Sequence, residues 1–266
     1  MSLLPTYDLI QVPPVKELPP SATVNWLCRG WQDAKRAGVA SFMHGVLVTV
    51  ACWFIALCAY GDWHIAVAVF SALLLVGPII ATGLYALSRR LDDGATVNIA
   101  DVFLVWRKGG ACLVHFGLLL VGLAVAWIVF STIMFELFVD VEINTPLDFL
   151  RYVVNQGDLL FTLWMILGGL GSSLVFAGTV IAVPLLIDRD IPLSNALMIS
   201  IHTVGHNPTT MAAWAMVLAL LTGLSLITGM LGFIVIYPIM GHASWRLYRD
   251  IVNADDLPVR TTINRS

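Results

Sequence analysis

Long apolar stretches separated by short polar segments dominate the hydropathy pattern of this chain. Uncharged runs near 20 residues, the length that a helix needs to cross a bilayer, occur four times before residue 190. A further 39 residues without Asp, Glu, Lys or Arg lie between His206 and Arg246, and Thr228-Gly229 divides them. The pattern therefore predicts six transmembrane helices, at about 42–60, 63–88, 109–135, 159–187, 209–228 and 230–249.

Composition supports a membrane protein and excludes other classes. Of 266 residues, 59% are hydrophobic and 12% are charged, whereas soluble domains have roughly 25% charged residues. A net charge of −3 argues against nucleic-acid binding, which needs a basic patch. No C-x-x-C spacing relates the cysteines, so we expect buried free thiols at Cys28, Cys52, Cys58 and Cys112.

Basic residues are distributed unequally between the two sides of the predicted bundle. If the N-terminus is cytoplasmic, all basic residues except Arg151 lie on the cytoplasmic side. The outer loop 136–158 carries acidic residues instead. We therefore expect a multi-pass protein of the bacterial inner membrane with both termini in the cytoplasm.

Prolines in the second helix of each predicted hairpin indicate an internal repeat. They are Pro78, Pro184 and Pro238, and the first and last are each followed eleven residues later by an arginine. A segment with helical apolar spacing precedes each hairpin. We expect these segments to be cytoplasmic interfacial helices, anchored at the lipid headgroups by Trp26, Trp31 and Trp106.

The predicted fold class is all-α: six transmembrane helices built from three parallel hairpin repeats, each preceded by a cytoplasmic interfacial helix. We interpret the prolines as packing kinks rather than hinges. Small residues from Gly168 to Gly178 predict a smooth face for close helix packing. The predicted boundaries are a disordered Pro-rich cytoplasmic tail 1–20, one membrane domain 21–253 with repeats at about 21–92, 95–190 and 191–253, and a cytoplasmic tail 254–266.

Three intramembrane histidines are the candidate chemical groups. His44, His115 and His242 each lie seven or eight residues from a basic residue, which places them at a common depth of about 10 to 12 Å. Such a cluster could ligate haem or a transition metal, or relay protons. The simpler alternative is hydrogen bonding to hydroxyl groups such as those of Thr49 or Ser244.

A second pair of histidines has a different setting. His202 and His206 are four residues apart in the third cytoplasmic segment, a spacing that suits a metal ion. No Glu or Cys accompanies them, so we interpret them as solvated interfacial side chains.

Basic residues at the cytoplasmic helix ends predict a collar that faces the lipid. Near anionic headgroups each cation adds about 1 kcal/mol of attraction. Five aspartates, at positions 92, 93, 101, 188 and 190, are expected to pair with part of this collar. Its members are Arg89, Arg90, Arg107, Lys108, Arg246 and Arg249.

Three stretches resemble one family. The run Gly232–Arg249 resembles the closing motif of the prokaryotic membrane family called domain of unknown function 2189. Gly77-Pro78 through Arg90 resembles its first hairpin ending, and Asp188-Arg189-Asp190 with Ala196, Ser200 and Asn207 resembles its third cytoplasmic segment. The resemblance extends from about residue 30 to 253. It implies a multi-span bacterial membrane protein without an assigned activity, and some relatives are labelled as cytochrome c oxidase components.

The sequence carries no catalytic signature, so we expect neither enzymatic activity nor a bound cofactor. We favour an accessory, assembly or scaffold subunit that packs against another membrane complex, for example a respiratory one, and contacts membrane lipids. A small transporter or channel is an alternative, weakened by the lack of a midplane carboxylate. A haem- or metal-binding protein that uses His44, His115 and His242 is another. Oligomeric state and any substrate stay open.

Overall fold

The computed structural model describes residues 12–58, 60, 62–102, 111–138, 148, 151–152 and 159–260. Ten helices are bounded within these residues: α1 Ala22–Ala37, α2 Val39–Cys58, α3 Trp63–Ile80, α4 Thr82–Asp92, α5 Ala111–Phe138, α6 Leu159–Thr179, α7 Ala182–Asp188, α8 Leu193–His206, α9 Pro208–Ile227 and α10 Phe233–Ile251. This described part contains no strand, only the isolated bridges Val15–Val252 and Arg189–Val259. The all-α class is confirmed.

Within the described residues, four helical segments are long and apolar enough to cross a membrane: Val39–Cys58, Leu113–Leu137, Phe161–Asp188 and Pro208–Ile227. Their outer surfaces carry large apolar side chains, such as Leu174 at 75% and Ile227 at 84% exposure. Extensive exposed apolar surface of this kind is suited to lipid rather than water. The chain is therefore an integral membrane protein with several apolar helices.

The other two predicted spans, 63–88 and 230–249, are not among these four long apolar segments. The segment 63–88 divides at Ala81 into α3 and α4, which leaves an apolar helix of 18 residues. The segment 230–249 forms α10, whose last two turns contain Arg246, Arg249 and Asp250. Hydropathy alone thus supports four spans in the described residues rather than the six predicted.

Two of the three proline-bearing segments are interrupted, the first at Ala81 and the second at residues 180–181. α6 ends at Thr179 and α7 begins at Ala182, two residues before Pro184. Proline cannot donate to the carbonyl four residues earlier and its ring clashes with that carbonyl, which is here the carbonyl of Val180 at the break. In contrast, Pro238 lies inside the continuous helix α10.

The segments that follow the three prolines form the centre of the fold. α4, α7 and α10 contact one another, and residues 82–89 and all of α7 are buried. α1 packs along α10, where an added Cβ on Gly30 would lie 2.7 Å from the backbone oxygen of Ile239. Glycine therefore permits the close crossing of these two helices.

Two expectations about the N-terminal region are wrong. Trp26 does not face lipid headgroups: it is fully buried, edge-on to Trp214 at 5.7 Å between ring centroids, because α1 directs its apolar face at α10 and α9. Residues 12–20 do not form a disordered tail. The backbone N–H of Lys16 donates to Ile251 (2.9 Å), and the N–H of Leu18 donates to Oδ1 of Asn207 (3.0 Å).

Candidate functional site

A buried serine–histidine cluster joins α2, α4 and α10. Nε2 of His242 lies 2.7 Å from Oγ of Ser41, and Nδ1 lies 2.6 Å from Oγ of Ser88. All three side chains are fully buried. In a neutral imidazole one nitrogen donates and the other accepts, so one serine accepts a hydrogen bond from the ring and the other donates to it. The cluster is therefore fully hydrogen-bonded through this ring.

His44 lies one helical turn from Ser41 and satisfies the backbone near the first helix break. Its Nε2 lies 3.0 Å from the carbonyl oxygen of Ile80, so Nε2–H is the donor and Nδ1 carries the lone pair. The ring stacks on Tyr237 at 5.9 Å, and the Tyr237 hydroxyl donates to the carbonyl of Gly77 (3.0 Å). Two carbonyls at the break are therefore occupied by side chains.

Gly45, the residue after His44, packs against a backbone carbonyl of α10 that lies four residues before a proline. Pro238 has no N–H, so the Ile234 carbonyl four residues earlier lacks its usual helical donor. A Cβ added to Gly45 would overlap this oxygen and would lie 2.8 Å from the oxygen of Phe233. His44 and Gly45 thus place α2 against the proline-bearing helices α3 and α10.

The second helix break is bridged by Ser200 of α8. Its hydroxyl accepts a hydrogen bond from the N–H of Ile181 (3.2 Å) and donates to the carbonyl of Ala177 (2.6 Å). In an uninterrupted helix those two backbone groups would bond each other. Ser200 therefore takes the place of one helical hydrogen bond.

The structure brings together two of the three predicted histidines. His44 and His242 lie close to each other at the α2–α10 contact, whereas His115 is exposed on α5, which packs mainly against α3. No three or more His, Cys, Asp or Glu side chains among the described residues are grouped so as to hold a metal ion. The hydroxyl partners are serines 41 and 88 instead of Thr49 and Ser244, which bond carbonyls of their own helices.

The predicted lipid-facing collar is wrong for Arg89. This side chain is buried, and it donates to the carbonyls of Ile187 and Arg260, both at 2.8 Å. Its Nε lies 3.4 Å from the carboxylate of Asp188. Burial lowers the pKa of the Arg89 guanidinium, and the negative charge of Asp188 opposes that shift. Arg89 therefore holds α4 to α7 and to the C-terminal segment.

Asp188 is the common partner of several cations. Arg189 and Arg249 lie 3.1 and 3.4 Å from its carboxylate, and the Tyr248 hydroxyl donates to it at 2.7 Å. Burial acts to lower the pKa of Arg189, but Asp188 and Tyr248 outweigh that effect and raise it. One buried carboxylate thus links α4, α7 and α10.

The remaining described collar residues also form ion pairs. Arg246 bridges Asp33 (2.5 Å) and Asp92 (2.6 Å), and Arg90 pairs with Asp101 (2.7 Å). The predicted pairing of aspartates 92, 101 and 188 with the collar is therefore confirmed. Arg89 and Arg246 are covered by the C-terminal segment and by α1 respectively, whereas the side chains of Arg90 and Arg249 are 25% and 38% exposed. Trp106, Arg107 and Lys108 lie outside the described residues.

The fold and its exposed apolar helices define a polytopic α-helical membrane protein. Residues 65–188 match the sequence model of a family described as "Predicted integral membrane protein (DUF2189)". The resemblance found in the sequence is thus confirmed over this segment, which is shorter than the expected 30–253 and leaves out the run Gly232–Arg249. Neither the curated proteins nor the solved structures contain a match to the chain.

Proposed function

We propose that this protein is a non-enzymatic accessory or scaffold subunit that binds another integral membrane protein through α6. The observation that carries the proposal is an exposed small-residue face, the α6 face, formed by Gly169 and Ser173 one turn apart. A Cβ added to Gly169 would meet no atom of the described residues within 4 Å. Small residues at this spacing allow transmembrane helices to approach closely.

The surroundings of the α6 face favour a transmembrane helix as its occupant. The face lies within the uncharged part of the segment Phe161–Asp188 and is flanked by Leu170 and Leu174, which are exposed. Gly168, by contrast, is used within the chain, since a Cβ there would lie 3.0 Å from the ring of Trp127. One side of α6 thus packs internally, and the other, exposed within the described part of the chain, offers a surface to a helix of a larger complex, for example a respiratory one.

Hydrogen bonding at the helix breaks gives less support to a transporter or channel. A pathway along the broken helices needs free backbone groups that line a polar cavity. Side chains of His44, Tyr237 and Ser200 bond the groups at the breaks instead. Ser41, Ser88 and His242, at the predicted depth of such a pathway, are fully buried.

Six spans in three parallel repeats form part of the same proposal. Its support is that the segments after Pro78, Pro184 and Pro238 contact one another, as a pseudo-threefold arrangement would require. The pairing of Val15 with Val252 brings the two terminal segments together, and termini on one side require an even number of crossings. We assign that side to the cytoplasm of a bacterial inner membrane.

Reporter fusions test this topology. A fluorescent protein fused to the C-terminus should fluoresce, because it folds in the cytoplasm. Alkaline phosphatase fused after Asp62, between the first two predicted spans, should be active because that turn lies outside. An inactive phosphatase fusion, or a dark C-terminal fusion at normal expression, would contradict the six-span assignment.

Partner binding is tested with a paired set of variants. The tagged chain is extracted from its native membrane in mild detergent, and co-purifying proteins are quantified by mass spectrometry. We expect one reproducible integral membrane partner, reduced at least tenfold by the double substitution Gly169→Leu and Ser173→Leu. Gly122→Leu on α5 is the control, because a Cβ there also meets no atom within 4 Å.

The outcomes separate the interpretations. A parent chain that purifies alone, or only with itself, contradicts the proposal. Equal loss of the partner in the Gly122→Leu control would show that the effect is not specific to the α6 face. A photo-crosslinking residue at Leu170 should label the same partner, since that position borders the face; labelling of lipid alone would argue against a protein occupant.

A further inference from the structure

The last two turns of α8 carry a histidine pair that the serine–histidine cluster does not involve. His202 and His206 are four residues apart, and their ring centroids lie 4.0 Å from each other. Residues at this spacing share one face of a helix. His206 is exposed and His202 is partly exposed. The two imidazoles therefore meet on an accessible surface.

The orientation of His206 is fixed by its own helix. Nδ1 of His206 lies 3.0 Å from the carbonyl oxygen of His202. A carbonyl only accepts, so Nδ1–H is the donor and Nε2 carries the lone pair in the neutral ring. This is the arrangement found around metal-ligating histidines, where a hydrogen bond to a backbone carbonyl fixes the tautomer and the ring.

His202 supplies the second nitrogen. Its Nδ1 is buried without a hydrogen-bond partner among the described residues, so this nitrogen is not the one offered to the surface. The residue as a whole is partly exposed, and its ring stacks against that of His206, which leaves Nε2 as the nitrogen to ligate an ion. Metal–imidazole bonds are about 2.0 to 2.1 Å long, and two histidines one helical turn apart on the same face can direct their Nε2 atoms at one ion.

We propose that His202 and His206 form a two-histidine site for a divalent transition-metal ion. Neutral imidazole suits copper, nickel and zinc, and copper(II) binds most tightly in this series. Water completes the coordination, since no Glu or Cys accompanies the pair in α8. Asn207, the next residue, bonds the N-terminal segment, so the site lies on the side of the protein that holds both terminal segments.

Copper(II) titration of the full-length protein in detergent tests the site, with any affinity tag removed. Electron paramagnetic resonance should show one ion bound by two imidazole nitrogens. His202→Ala and His206→Ala should each weaken binding at least tenfold, because each removes one arm of the chelate. His115→Ala is the matched control: this histidine is also exposed, but no second histidine accompanies it in the sequence of α5, so its loss should not change two-imidazole binding.

Three results would overturn the proposal. They are a parent protein that binds no copper, binding that survives loss of either α8 histidine, and binding that is lost equally in His115→Ala. Because His206 is exposed and His202 is partly exposed, the variants should fold normally. An unchanged thermal unfolding temperature without metal, together with a copper-induced increase only in the parent and in His115→Ala, provides a second readout.

Discussion

The contact between α2 and α10 predicts a large effect from one added methyl group. Gly45→Ala places a Cβ against the carbonyl of Ile234, with 2.8 Å to the carbonyl carbon of Ile234 and to the oxygen of Phe233. These atoms belong to the backbone of a helix and cannot rotate away. α2 must therefore move outward by several tenths of an ångström. Ser41, one turn earlier, moves with it and lengthens its 2.7 Å contact with His242.

The expected magnitude follows from three terms. Overpacking of a tight core costs about 1–3 kcal/mol. Weakening of the buried Ser41–His242 hydrogen bond costs about 0.5–1.5 kcal/mol. Replacing glycine by alanine in a helix gains about 1 kcal/mol. We therefore expect Gly45→Ala to lower the free energy of unfolding by about 0.5–3.5 kcal/mol, because the steric and hydrogen-bond terms together exceed the gain in helix propensity.

Unfolding of the purified protein in mixed micelles with increasing sodium dodecyl sulfate, followed by tryptophan fluorescence, measures this difference. The control is Gly122→Ala in α5, where a Cβ meets no atom within 4 Å. We expect that variant to equal or exceed the parent in stability. A Gly45→Ala protein as stable as Gly122→Ala would refute the proposed close contact between α2 and α10.

Three further variants test other contacts by the same unfolding measurement. His242→Ala leaves a cavity and two buried hydroxyls without their partner, and should cost about 2–5 kcal/mol, whereas the exposed His115→Ala should cost less than about 0.5 kcal/mol. Asp188→Asn leaves buried guanidinium groups without their carboxylate and should cost about 3–5 kcal/mol, whereas Asp190→Asn, 72% exposed, should stay within about 0.5 kcal/mol. Ser200→Ala removes both hydrogen bonds at the second break and should cost about 1–3 kcal/mol. If His242→Ala were as stable as His115→Ala, or Asp188→Asn as stable as Asp190→Asn, the corresponding contact would be contradicted. A Ser200→Ala protein as stable as the parent would contradict the bridging role of Ser200.

Length and hydropathy predict the apolar helices well because both depend on local sequence. The predicted spans 42–60 and 209–228 correspond to Val39–Cys58 and Pro208–Ile227. The helix interruptions at residues 81 and 180–181 were not predicted, although the prolines beside them indicated kinks. Stabilising a break requires donors and acceptors from other helices, such as Ser200, and sequence spacing does not show which helix supplies them.

The three histidines show that the depth of a residue in the membrane does not determine what its side chain contacts. Counting residues from the basic belt places His44, His115 and His242 at one depth, but depth does not specify the face of the helix on which a side chain lies. α5 is apolar around its whole circumference, so its sequence contains no signal for the buried side. The structure places His115 outward and directs the other two into the α2–α10 contact.

The arginines show that their position on one side of the membrane does not predict whether they contact lipid or protein. This distinction affects what stabilises the protein. An excess of basic residues on one side predicts orientation, because it reflects the asymmetry of the membrane. It does not distinguish a cation that contacts lipid from one that contacts protein. Arg89 and Arg246 are enclosed because α1, α7 and the segment after α10 cover them, and these contacts join parts of the chain far apart in sequence. Stability at this side of the protein therefore depends on internal ion pairs centred on Asp188 and Asp33, and should be less sensitive to the anionic lipid content of the membrane than a lipid-facing collar would be.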